Sequence, residues 1–439
     1  MSTYPSARKG WTLVVLLTLA YILSFTDRYI LGLLIQPIKA DLKLTDEQIG
    51  LIMGPAFALI YATAGLPLGL LVDRARRTWI VASGIIVWSC ATVASGFANS
   101  FSHLFVARMV VGAGESVLSP AAFSMIADSF PPEKRGRPVA FYTAALTIGA
   151  GLASLIGASV LVWTKNAGHI DLPVLGSLKP WQMIFMIVGL PGVLISLGFL
   201  FVREPARQTA QATDPELTGS GLKDTLAYVA KRWQTFASFA SLICVMTIIA
   251  YSQGFLAPAF ERTWGWKPEV YALWNGIAIL LISPATVNFV GWLCDRGSQR
   301  GVPDTAFRLL VIGYLAMIPT AMIPLFMPNP QMAFAVLCLN TVALGVVSSV
   351  SVTALLAITP APIRGQLIAL YYMTISLTGL FLGPTTVGFL STRVYGEAHL
   401  AWALATLPAL YGLVPLILIP VTRRLYLAQM ARLLQTTAN

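Results

Sequence analysis

An all-α membrane protein, with twelve transmembrane helices in two six-helix bundles, is predicted from three observations. The 439 residues are 56% hydrophobic and only 11% charged, too apolar and too long a chain for one soluble core. Apolar runs of about 20 residues, enough to cross a bilayer as a helix, recur along the whole length. The two halves of the chain also repeat each other's punctuation.

Breaking the hydropathy at charged and Gly/Pro-rich turns gives spans near 11–37, 47–72, 78–98, 102–128, 137–163, 181–202, 233–260, 269–294, 308–327, 331–358, 364–392 and 398–422. The first follows Arg8-Lys9 in the manner of a signal peptide. It outruns signal-peptide length and has no small-residue cleavage site, so it reads as a retained span. The formal charge of +11 reflects topology rather than nucleic-acid binding, because basic residues collect in cytoplasmic loops. Alternate loops carry most of them, while the opposite set has only Lys39, Lys43, Lys165, Lys179, Arg262, Lys267 and Arg393. Both termini are therefore expected in the cytoplasm.

The longest inner connection separates an N-terminal bundle, 1–203, from a C-terminal bundle, 233–439, through a linker at 204–232. Its polar middle, Gln208 to Thr213, reads as flexible. Leu222, Leu226, Val229 and Trp233 then fall at helical spacing. They form either a short amphipathic helix on the inner membrane surface or an early start of the seventh span. At the outer side, 170–178 reads either as a small hairpin with Gly176 in its turn or as an irregular loop.

The repeat is specific. Gly69-Leu70-Leu71-Val72-Asp73-Arg74 closes the second span and Gly291-Trp292-Leu293-Cys294-Asp295-Arg296 closes the eighth; Arg135-Gly136 opens the fifth and Arg364-Gly365 the eleventh. Asp73 and Asp295 are 222 residues apart, Arg135 and Arg364 229. Such offsets fit one duplication with small insertions. Gly69, Asp73, Arg74, Arg77, Asp128, Arg135, Asp295, Arg296 and Arg364 form the expected cytoplasmic gate, where acids at helix ends meet arginines. Asp128 is the expected partner of Arg77.

Asp27, Arg28, Arg108 and Glu115 are the only ionisable residues deep in any span, and all belong to the first half. Charges at that depth are costly and mark transport paths. Arg108, Gly112 and Glu115 lie at i, i+4 and i+7, so both charges share one face about 10 Å apart. The glycines between them are expected to leave that face open. Asp27 falls between the two levels on the first span, able to approach either but not to satisfy both. Two carboxylates in a poorly solvated cavity repel, and burial disfavours the charged form. Glu115 is therefore the expected proton site and Asp27 its coupled partner, with Arg108 or Arg28 binding an anionic group. Because neighbours on a helix point about 100° apart, Asp27 rather than Arg28 is expected to face Glu115.

The second half offers neutral and aromatic positions instead. Tyr251, Phe255, Asn288, Tyr371 and Tyr372, together with Thr26 and Tyr142 of the first half, are expected to line a cavity. One charged wall and one aromatic or apolar wall suit an amphiphile, or alternatively an aromatic acid. Gly254 with Pro258, Pro284, and Gly379 with Gly383-Pro384 mark places where spans can bend.

Thr26-Asp27-Arg28, Gln36-Pro37-Ile38-Lys39-Ala40-Asp41-Leu42, Phe57-Ala58-Leu59-Ile60-Tyr61, Gly65-Leu66-Pro67-Leu68-Gly69, Arg108 with Gly112-Ala113-Gly114-Glu115, and Gly383-Pro384 together resemble the spinster-like branch of the major facilitator superfamily. In that superfamily two parallel six-span halves enclose a site near mid-bilayer. The gate motif departs at Arg76, where a second Gly belongs, and at Thr78, where a last base belongs. The resemblance implies a proton-linked carrier of lysophospholipids or sphingoid phosphates and places coupling on Asp27, Arg28, Arg108 and Glu115; with the short loops and compact length it also implies a bacterial-type, multi-pass protein of the plasma (bacterial inner) membrane.

A carrier of small carboxylates or aromatic acids is the alternative. Multidrug efflux is disfavoured, since the fifth span lacks the Gly-Pro pair typical of many drug/proton antiporters. No metal or cofactor is expected: the four cysteines are isolated, and His103, His169 and His399 sit in or beside outer loops. Without HExxH or GxSxG an enzyme is not indicated. The expected partners are a lipid-like or organic anion, protons and membrane lipids, with the chain a monomer.

Overall fold

The computed structural model describes residues 4–131, 134–167, 170–172, 176–207, 222–302, 304–360 and 363–438. Among them lie twelve segments long and apolar enough to cross a membrane. The helices are α1 (Ala7–Leu33), α2 (Ile35–Leu42), α3 (Asp46–Met53), α4 (Pro55–Arg74), α5 (Arg77–Ser95), α6 (Phe101–Glu115), α7 (Leu118–Ser129), α8 (Gly136–Ala167), α9 (Pro180–Phe201), α10 (Leu222–Lys231), α11 (Trp233–Ser252), α12 (Leu256–Trp264), α13 (Pro268–Gln299), α14 (Thr305–Met322), α15 (Pro330–Ala357), α16 (Arg364–Phe389) and α17 (Leu400–Ala438).

Local chemistry explains the breaks. Lys43 takes a left-handed conformation (φ 53°) at the end of α2, and Thr45 with Gln48 builds a reciprocal capping box that opens α3. Pro55 at the first position restarts the helix as α4. Beyond α16, residues Leu390–Tyr395 continue as a wide π-type turn, a rare geometry that is frequent at functional sites.

Compactness divides the chain into two units. The first holds the described residues of Met1–Thr209, Gly254–Leu280 and Pro384–Ala398; the second holds those of Ala210–Gln253, Leu281–Gly383 and His399–Asn439. Within the first, α1 packs on α8, α5 on α9, and α6 on both α4 and α5. Within the second, α14 packs on α15 and α11 on α17. There the Tyr426 ring stacks on Phe239 and Phe307 at 6.1 and 4.5 Å.

The duplication is visible in bonds. Arg135 Nε donates to Phe130 O at 2.8 Å and Arg364 Nε to Thr359 O at 3.3 Å. Each arginine thus ties the start of its helix to a carbonyl five residues upstream, once per unit. Gly69, Asp73 and Arg74 lie in α4, and nothing of their side chains is among the described features. Asp295 and Arg296 are exposed on α13, with Arg296 over the Trp292 ring at 5.1 Å.

The segment at 170–178 forms a hairpin, Ile170–Leu172 antiparallel to Gly176–Leu178. Gly176 faces Leu172 as the first residue of the second strand, not in the turn as expected. That pairing leaves 173–175, outside the described residues, as the connection. In the linker, α10 forms and breaks at Arg232 before α11, while Gln208 to Thr213 lie outside the described residues. Leu226 and Trp233 are exposed, at 46% and 62%. The opposite face bonds inward through Thr225 to Gln366 and Tyr228 to Gln429.

Arg77 organises the arginine-rich end of the first unit. Only 1% exposed, it binds Asp128, donates to Glu204 at 2.9 Å and to Ser124 at 2.8 Å, and donates to Pro205 O at 2.9 Å. Removing a buried cation from two acids costs about 3–5 kcal/mol. Arg77→Ala should therefore lower the thermal unfolding midpoint clearly in detergent. Arg77→Lys should recover only part, since an ammonium cannot reproduce the fork of contacts; a midpoint unchanged in Arg77→Ala would contradict this role.

Candidate transport site

Two stripes of α1 face different neighbours. Ser24 and Arg28, one helical turn apart, face Glu115 of α6. Ser24 Oγ donates to Glu115 Oε2 at 2.7 Å, Arg28 Nε donates to the same oxygen at 2.8 Å, and the Arg28 terminal nitrogen Nη2 binds it too. Asp27 turns instead to Arg108, whose Nη1 donates to Asp27 Oδ2 at 2.6 Å, while Thr92 Oγ1 of α5 donates to Asp27 Oδ1 at 2.8 Å. Asp27, Arg108 and Glu115 are each 2% exposed, and Thr92 and Ser24 1%. The Arg28 side chain keeps 15%.

This corrects the expectation that Asp27 faces Glu115. The long Arg28 side chain reaches across to α6 with Ser24 beneath it, whereas the shorter Asp27 meets the arginine brought to it. A buried carboxylate must be paired to remain charged. The arrangement supplies one arginine per carboxylate rather than sharing one.

The aromatic ring of Phe57 on α4 serves both arginines. The guanidinium carbons of Arg28 and Arg108 lie 4.6 and 5.8 Å from its centroid, within cation–π range. Arg28 also lies over Phe25 at 5.2 Å and Tyr61 at 5.6 Å. Close approach of α4 depends on Gly112, where a Cβ would sit 2.6 Å from Phe57 O. Gly114 likewise admits α5, its Cβ position being 2.7 Å from Gly84 O. The α6 glycines therefore do not leave an open face: the α4 backbone fills the space at Gly112 and the α5 backbone that at Gly114, on another side of the helix.

The two carboxylates differ in one respect. Asp27 accepts a protein hydrogen bond on each oxygen, whereas Glu115 takes all its donors on Oε2 and its buried Oε1 has none from the protein. Arg108 Nε is likewise buried without a protein acceptor. An oxygen so placed can take a proton without first displacing a donor.

Around this core, Tyr21 stacks on Tyr142 at 5.0 Å, with Phe25 and Phe123 edge-on. Thr26 turns back to Ile22 O at 3.0 Å, and Phe255 is fully enclosed. In the second unit Asn288 is exposed and donates to Pro284 O at 2.8 Å, Tyr371 donates to Ser351 Oγ at 2.8 Å, Tyr372 is 51% exposed and Tyr251 half-buried. Asn340 accepts from Gln253 at 3.1 Å and donates to Met317 O at 3.1 Å. Ser24 was legible as the residue one turn before Arg28. Thr92 and Phe57 gave no chemical signal. Among the described residues no group of His, Cys, Asp and Glu could hold a metal.

The twelve candidate spans define a multi-pass membrane protein. The family model of the major facilitator superfamily matches residues 17–339, and the chain belongs to that superfamily. An MFS-type efflux pump of Mycolicibacterium smegmatis is 28% identical over 93% of this chain and 91% of its own. A D-galactonate transporter of Escherichia coli O6:H1 is 27% identical over 90% and 91%. The crystal structure of a bacterial homologue of the human lysosomal transporter Spinster, inward-facing and unoccupied, superposes with a TM-score of 0.80 at 24% identity, over 98% of this chain and 99% of that one. The chain is thus a multi-pass membrane protein of the bacterial inner-membrane type and a transporter rather than an enzyme, with the fold of that Spinster homologue.

Removing Asp27 strands a buried arginine, so Asp27→Asn and Arg108→Gln should each cost about 3–5 kcal/mol of stability, against about 1 for Thr92→Val. The double variant should cost less than the sum, with about 0.5–3 kcal/mol of coupling. Calorimetry on the four proteins of the cycle measures it, and strict additivity would exclude the pair.

Proposed function

We propose that the protein is a proton-coupled secondary transporter working by alternating access, with an amphiphilic anion such as a lysophospholipid or sphingoid phosphate as cargo. The observation that carries the coupling is Glu115 Oε1. Protonation there removes the charge that holds Arg28, the one partly exposed cation of the cluster. The guanidinium is then available to a phosphate or carboxylate of the cargo, for which its fork geometry is suited. Loss of the cargo or of the proton restores the Arg28–Glu115 pair.

The enclosure of Arg108 assigns it to Asp27, so Arg28 is the better candidate for the cargo's head group. Asp27 acts as coupled partner by holding Arg108 away from Glu115. The absence of ionisable residues deep in the second-half spans and the exposed Tyr372 favour an apolar or aromatic counterpart to that head group. The excess of basic residues in one set of loops puts the arginine-rich end and both termini in the cytoplasm, and the protein works as a monomer.

A second reading, a small carboxylate as cargo, draws support from the similarity to a D-galactonate transporter across nine-tenths of the chain. Arg28 would bind its carboxylate in the same way.

Proteoliposomes with an imposed pH gradient test both. Wild-type protein should accumulate either a labelled lysophospholipid or D-galactonate. Glu115→Gln should lose gradient-driven accumulation while retaining exchange of cargo. Arg28→Ala should weaken cargo binding at least about tenfold, which is ~1.4 kcal/mol, with Arg28→Lys between. Undiminished pH-dependent accumulation in Glu115→Gln would eliminate the proton role.

A further inference from the structure

A second charged cluster lies at the opposite end of the first unit from Arg77, built from residues that the sequence presents as ordinary loop charges. Its centre is Asp46, with no exposed surface. Arg262 of α12 grips both carboxylate oxygens, Nη1 to Oδ2 at 2.7 Å and Nη2 to Oδ1 at 2.8 Å. Lys39 binds the same carboxylate, and Ser391 Oγ donates to it at 2.7 Å. Glu397 completes the ring: it accepts from Asp46 N at 2.6 Å and from Lys39 Nζ at 2.7 Å, and its carbonyl accepts from Arg262 at 2.9 Å. Next to it, Glu47 N donates to Thr392 Oγ1 at 2.9 Å, and Arg393 Nε donates to Glu47 Oε2 at 2.7 Å.

The backbones touch at the same place. A Cβ on Gly388 would lie 2.4 Å from Asp46 O, and one on Gly50 2.5 Å from Pro384 O. The π-type turn at Leu390–Tyr395 delivers Ser391, Thr392 and Arg393 to α3. Three segments distant in sequence are thus joined: 39–50, the α12 region and the end of the eleventh span.

The chain path gives this cluster its meaning. The second and third segments are the ends of spans whose remaining lengths belong to the second unit, and the crossings fall at Gln253/Gly254 and Gly383/Pro384. Those are the glycine and proline positions where helices bend most readily. A third crossing, Leu280/Leu281, lies in α13 within four residues of Pro284.

We propose that the Asp46 cluster is a latch that closes the outer end of the transporter and must come apart in every cycle. When it is closed, the tips of second-half helices are stapled to the first unit; when it opens, they swing back about the Gly254 and Gly383-Pro384 joints. Alternating access requires each end to open in turn. A buried carboxylate shared by two cations, with neutral backbone and hydroxyl donors at hand, gives a closed state that is well defined and breaks as one event. Asp46 is therefore a gating residue that touches neither cargo nor proton site.

Electron–electron distance measurements test this without any substrate, so the result stands apart from the reading of the cargo. Cys90, Cys244, Cys294 and Cys338 are replaced by Ser, and spin labels are attached at Lys43→Cys and Ala398→Cys, both exposed positions beside the cluster. The parent should show one dominant short distance. Asp46→Asn and Arg262→Gln should raise the share of a second, longer distance at least fivefold, and Ser391→Ala should raise it less. Ser391→Ala removes a single hydroxyl, so it serves if the charge variants do not fold. A distribution identical to the parent's in every variant that folds would overturn the latch.

Discussion

Four charges enclosed among helices must be neutralised locally, and this requirement governs the first unit. Adjacent residues of α1 are given to different partners: Asp27 to Arg108 and Thr92, Arg28 to Glu115 and Ser24. Everything nearby follows from keeping those pairs apart yet close. Gly112 and Gly114 draw α4 and α5 against α6, and the Phe57 ring lies within reach of both guanidinium groups. Buried ion pairs add little net stability. Here they give each arginine one defined acceptor.

The pairs are unequal, and the proposed coupling rests on that inequality. Asp27 is saturated and its arginine enclosed, so that pair behaves as scaffold. Glu115 has one oxygen without a protein donor, and its arginine retains an exposed edge between aromatic rings. In the proposed cycle a proton on the first makes the second available, and cargo and proton meet through one broken bond rather than through a long relay.

Much of this was legible in the sequence. The twelve spans and the four deep charges follow from hydropathy and from the cost of charge in a bilayer, while the spinster-like resemblance rests on short motifs such as Thr26-Asp27-Arg28 and Gly383-Pro384. The internal repeat is realised in the matching bonds of Arg135 and Arg364. Which neighbour on α1 faces which acid was not legible, because it depends on side-chain length and helix rotation, and periodicity fixes only relative directions. The glycines misled for a related reason: sequence shows that a Cβ is missing, not which backbone fills the space. The Asp46 cluster was hidden because Lys39, Arg262 and Arg393 fit the ordinary picture of outer-loop charges; only the fold brings 46, 262 and 397 together.

In the proposed mechanism Glu115, not Asp27, carries the coupled proton. Infrared difference spectra of the purified protein across an acid titration test it directly through the carbonyl stretch of a protonated carboxyl group. The band should appear in the wild type, persist in Asp27→Asn and be absent in Glu115→Gln. A band that survives in Glu115→Gln and vanishes in Asp27→Asn would make Asp27 the proton site instead.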